Sequence, residues 1–130
     1  MLVVFEIDTK DQERAALLLC ALTELLVPEA SRSLKKASVP PLYKSGVKYE
    51  KQNPRACAFR MPPDVLKRKA GDCKQLVLWR MAELANAGEK ATPRVIWLNN
   101  KTGLQAHILL RRADGNLEDP SVILGMKGRR

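Results

Sequence analysis

Histidine is nearly missing from this chain: His107 stands alone among 130 residues. A single imidazole leaves a structural zinc site short of ligands, and the three cysteines, Cys20, Cys57 and Cys73, include no CxxC pair. Long apolar runs are absent too. The longest, Ala15 to Val27, is interrupted by Thr23 and Glu24 and is too short and too polar to span a bilayer, so no membrane partner is expected. No basic n-region opens the chain, whose start Met1-Leu2-Val3-Val4-Phe5 meets Glu6 at once. With so few cysteines, this reads as a cytoplasmic protein with reduced thiols and no disulfide framework. Aromatic residues make up 5%, too few to suggest a stacking platform for nucleic acid.

Positive charge is what the chain has in excess. Lys and Arg number 23 against 14 Asp and Glu, a formal net charge of +9. A field of that sign attracts phosphate backbones, anionic lipid and acidic protein surfaces. It also suits a solvated basic surface, or one packed against acidic neighbours, and nucleic-acid contact is the weaker reading. The length fits one hydrophobic core and a single domain over 1–130. Apolar and charged fractions of 45% and 28% are ordinary for a globular chain.

The pattern of residues predicts a mixed α+β order. Leu2 to Ile7 reads as a strand. Asp8 or Thr9 caps a helix that runs to about Val27 and stops at Pro28, with Ala16, Leu17, Cys20, Ala21, Leu25 and Leu26 as its inner stripe and Cys20 as a core filler. Residues 28–63 hold six of the eight prolines and read as a long irregular segment. Pro62-Pro63-Asp64 opens a short helix, Val65 to Ala70, closed by Gly71 as a left-handed cap. Asp72 caps a second helix, Cys73 to about Ala87, with Leu76, Val77, Met81, Leu84 and Ala85 on its core side and Trp79 as a packing residue. Strands Pro93–Leu98 and Leu104–Arg112 follow, with turns at Asn99–Gly103 and Ala113–Asn116, and then Leu117 to Ser121. Residues 123–130 form a basic tail ending Lys127-Gly128-Arg129-Arg130.

Three residues in this order can carry chemistry. A thiol in the first turn of a helix, as expected for Cys73, feels the partial positive charge of unpaired N–H groups, which favours thiolate and points a backbone donor at a carbonyl under attack. A small buried hydrophobe is the ordinary alternative. His107 is the only side chain suited to act as a base near neutrality, although a strand histidine is more often structural. Asp119 follows a turn 12 residues beyond it, where a hairpin can bring its carboxylate against the imidazole. Asp119 can equally be a turn residue or a helix cap.

Taken together, Gly71-Asp72-Cys73, Ala106-His107-Ile108-Leu109-Leu110 and Asp114-Gly115-Asn116-Leu117-Glu118-Asp119-Pro120-Ser121 resemble the signatures of the transglutaminase-like (papain-type) superfamily. The resemblance spans about residues 60 to 122. The lead-in Leu42-Tyr43-Lys44-Ser45-Gly46-Val47 is similar to that of small members encoded by phages and prophages. The resemblance implies a nucleophile-bearing helix packed on an antiparallel sheet, with Cys73 as nucleophile, His107 as general base and acid, and Asp119 as orienting acid. It implies acyl transfer at amide bonds of a protein or peptide substrate, with no cofactor. The chain departs from many relatives after the cysteine, where Lys74 and Gln75 replace an acidic pair, and Lys74 is expected to be exposed. A second oxyanion donor is expected upstream, where Gln52, Tyr43 and Tyr49 are candidates. The alternative function is a non-catalytic assembly module of a larger complex such as a virion.

Overall fold

The structure is a computed structural model that describes residues 2–5, 10–51, 57–100 and 103–127. It is mixed helix and sheet. Strand β1 (Leu2–Phe5) pairs antiparallel with β3 (Cys57–Arg60), and β2 (Lys48–Tyr49) pairs parallel with β4 (Ala70–Gly71). The largest sheet is antiparallel: β5 (Thr92–Asn100), β6 (Gly103–Arg111) and β7 (Leu117–Glu118), in that spatial order. The helices are α1 (Gln12–Lys36), α2 (Pro62–Arg68), α3 (Cys73–Asn86) and α4 (Pro120–Ile123), with a 3-10 turn at Leu42–Lys44. Among the described residues no helix is long and apolar enough to cross a membrane.

Helix α1 departs most from expectation. The expected cap at Asp8 or Thr9 lies outside the described residues, and the cap is Asp11, whose carboxylate accepts from Arg14 N at 3.2 Å. The helix does not stop at Pro28 but continues through it to Lys36, so the segment 28–63 is not irregular from its start. Proline removes the bond to the carbonyl four residues back, here that of Glu24. Both Pro28 and Glu24 are exposed, so that carbonyl can bond water. Beyond the proline, Ala30 is fully buried and Leu34 packs on the core, contacts that offset a penalty of about 3 kcal/mol. Of the expected stripe, Leu26 does lie on the inner face, together with Leu19, Leu22, Thr23 and Ala30, but Leu17 and Leu25 are 71% and 70% exposed. Cys20 is only half-buried, with its Sγ 3.8 Å from Pro93 O.

Helix α3 is the centre of the molecule. Leu78 and Ala82 join Leu26, Ala30, Phe59 and Met61 in one cluster; Leu76 and Trp79 join Leu42, Val47, Val65 and Leu124 in a second. Val77, Met81 and Leu84 meet Ala91, Ile108 and Leu110 in a third. A helix with partners on every side is apolar on every side, not along one stripe. Trp79 is wholly buried, as a packing residue should be, whereas Ala85 faces solvent.

Candidate active site

The approach to Cys73 begins with the turn after α2. That helix starts at Pro62 and ends at Arg68, and Lys69 after it, with φ of 60°, is the left-handed cap. Gly71 was expected in that role and instead lies in β4. It is needed there for space: a Cβ on Gly71 would stand 3.1 Å from Leu76 Cδ2 and 3.1 Å from Val65 Cγ1. Glu50 N donates to Gly71 O at 2.8 Å, and this short parallel pairing sets Tyr49 opposite Gly71.

Asp72 caps α3 through a full capping box. Gln75 N donates to Asp72 Oδ1 at 3.1 Å, and Asp72 N donates to Gln75 Oε1 at 3.3 Å. Gln75 is wholly buried and also donates from Nε2 to Ala58 O at 2.9 Å, which ties the cap to β3. Lys74 is not exposed as expected. It is 7% exposed, paired with the second oxygen of Asp72 and set over the Phe59 ring at 5.9 Å. A buried ammonium needs such a partner, and Asp72 supplies it while capping the helix. Cys73, the first residue of α3, is a free, partly exposed thiol.

His107 reaches the same place from β6. Pairing of Leu110 with Glu118 holds β7 on β6; continued by one residue, that register sets Asp119 opposite Leu109 and diagonal to His107 on the same face. The Nε2 of His107 lies 2.9 Å from Asp119 Oδ2. The imidazole also lies within electrostatic reach of Cys73. Strand alternation does not separate a wet face here, because His107, Ile108, Leu109 and Leu110 are all buried. Asp119 heads α4 in sequence, yet its side chain caps nothing.

Burial alone would lower the pKa of His107. The hydrogen bond to Asp119, and after it the interaction with Cys73, overcome it and hold the imidazole at about 9. Tyr49 is pushed up to about 12, first by burial and then by negative charge at Cys73, Asp72 and Asp119. Its phenol therefore stays a protonated donor beside the thiol.

Of the other upstream side chains, Tyr43 gives its hydroxyl to Glu118 and holds Arg80 over its ring at 5.1 Å, while Gln52 lies outside the described residues. The residues that sequence reasoning missed surround Glu118. It accepts from Arg80 Nε at 2.7 Å and Arg112 Nη1 at 2.9 Å, and Arg112 grips Glu89 at 2.6 and 2.7 Å. Burial would raise the Glu118 carboxyl, but Arg80, Tyr43 and Arg112 hold it below its ordinary value. The one available signal was Arg80, a charge within a run of otherwise buried helix residues. Among the described residues no group of three or more His, Cys, Asp or Glu is placed to hold a metal ion.

Comparison with protein families, curated proteins and solved structures gives no match.

Proposed function

We propose that this chain is a cysteine hydrolase or acyltransferase acting on amide bonds, with a transglutaminase-like (papain-type) core. The observation that carries the reading is a single imidazole bonded to Asp119 at 2.9 Å and set within electrostatic reach of the thiol at the head of α3. Cys73 is the nucleophile, His107 the proton carrier and Asp119 the orienting acid. The thiolate attacks the carbonyl carbon, forming a C–S bond and an oxyanion. The Cys73 N–H, which has no intrahelical acceptor in the first turn, is one donor to that oxyanion. Among the described upstream side chains, Tyr49 is the one left to be the second. As the C–N bond breaks, His107 gives its proton to the leaving amine. Water or an amine then attacks the thioester, His107 takes the incoming proton, and the C–S bond breaks to restore the thiolate.

The test is hydrolysis of, or amine incorporation into, glutamine-containing peptides read by mass spectrometry. Wild type should turn over and Cys73→Ala should not, with unchanged circular dichroism. An equal rate in the two proteins sinks the reading. A second reading, an assembly module without turnover such as a virion component, is favoured by the exposed Leu17 and Leu25 on α1. It requires a stoichiometric partner that Cys73→Ala retains.

A further inference from the structure

Six exposed basic residues come together around β2. Lys44, Lys48, Lys67, Arg68, Lys69 and Lys127 are all exposed, and none is in an ion pair with another described residue. Backbone pairing gathers them. Lys48 N donates to Lys69 O at 3.1 Å, Lys69 Nζ donates to Ser45 O at 3.3 Å, and Tyr49 N donates to Leu124 O at 3.0 Å, which brings the segment ending in Lys127 alongside. The acids near this face are largely committed: Asp64 to Arg60, Asp72 to Lys74, Asp119 to His107. Glu50 remains as the one exposed carboxylate within the gathered segments.

This patch borders the candidate thiol. Only β4 and Asp72 separate Lys69 from Cys73, a stretch that spans at most about 14 Å fully extended. An extended peptide covers that distance in about four residues. We propose that the face around β2 binds the acidic flank of a protein or peptide substrate, with Asp or Glu placed about three to six residues from the amide attacked at Cys73. The inference rests on the acyl-transfer reading for the word substrate, but the binding it describes does not. A nucleic acid fits the face less well. Tyr43 is turned to Glu118 and Arg80, so it supplies no stacking surface, and Glu50 stands among the cations. Lys48 is the exposed residue of β2, alternating with half-buried Tyr49, which makes it a binding residue that can be changed without disturbing the packing beneath.

The experiment uses the Cys73→Ala chain, which binds without turnover. Fluorescence anisotropy is read for three probes: a labelled 12-residue peptide with a central Gln and two Glu four residues away, its Glu→Gln counterpart, and a 12-nucleotide single-stranded DNA. The acidic peptide should bind at least tenfold more tightly than the neutral one, with a preference that fades as salt rises. Lys48→Glu with Arg68→Glu should bring it to the neutral peptide's level. Lys90→Glu, beyond the far end of α3 and about 20 Å from its first residue, should leave it unchanged. Equal binding of the two peptides, or an equal loss from Lys90→Glu, overturns the proposal. So does tighter DNA binding abolished by the Lys48 and Arg68 changes, which would make the face a nucleic-acid surface. Failure of the acyl-transfer reading would show separately, as acidic-peptide binding without turnover in wild type.

Discussion

Glu118 and Asp119 are consecutive carboxylates with opposite duties. Glu118 is held by Arg80 and Arg112 at 2.7 and 2.9 Å, and Asp119 meets His107 at 2.9 Å. Side chains alternate at the end of a strand, so anchoring the first residue aims the second. Arg80 belongs to the same helix as Cys73, so the thiol and the carboxylate that meets His107 are braced against a common element.

The first expectation concerns thiol reactivity. If His107 is an imidazolium paired with sulfur, iodoacetamide at pH 6 should modify Cys73 well ahead of Cys20, since a free thiol has a pKa of about 8.5. His107→Ala should slow Cys73 by about tenfold or more and leave Cys20 alone. Mass spectrometry of each cysteine decides it; a Cys73 no faster than Cys20, or indifferent to the histidine, removes the ion pair.

Stability should also depend on pH through the same histidine. Its folded pKa of about 9 lies above the unfolded value of 6.5, so the folded state holds the proton more tightly. The resulting stabilisation is complete below about pH 6.5 and is lost as pH climbs through about 9. Urea midpoints at pH 6, 7.5 and 9.5 should therefore decline, and the decline should be much shallower in Asp119→Asn. A parallel decline in that variant would assign the effect to other groups.

Glu118→Gln should destabilise the fold by about 2 kcal/mol, because it leaves Arg80 and Arg112 facing a neutral amide in a largely buried setting. Chemical denaturation measures this directly. A change below about 0.5 kcal/mol would mean that the cluster behaves as an ordinary surface ion pair.

Two backbone positions should respond with opposite signs. Gly71→Ala forces a methyl against Leu76 and Val65 and should cost about 1–3 kcal/mol. Pro28→Ala restores a helix bond at an exposed site and should add about 1–2 kcal/mol, less than the full proline penalty because alanine also loosens the unfolded chain. A stabilising Gly71→Ala would show that the packing around Gly71 yields easily.

How much of this was legible in the sequence follows from how local each signal is. The capped helix beginning at Cys73, the β5–β6 hairpin and the turn before Leu117 depend on neighbours within a few residues, and they lie where the residue pattern put them. The extent of α1 was hidden because proline is read as a stop, whereas the contacts of Ala30 and Leu34 that carry the helix past it come from distant segments. Gly71 was misread for a similar reason: the steric demand comes from Val65 and Leu76, not from the φ of its own backbone. Lys74 looked like a solvated charge because its partner, Asp72, was already occupied as a cap. The Glu118 cluster joins residues 43, 80, 89, 112 and 118 and has no short-range signature at all.

The three clusters that meet on α3 also bear on how the candidate site can move. A segment that opens on its own needs few apolar contacts, and α3 contributes to every cluster described. The hydrogen-bonded amides beyond its first turn should exchange with deuterium only when the whole molecule unfolds. The head of that helix would then have no partly open form of its own, and any motion that admits a substrate would have to come from the segments around Cys73 instead.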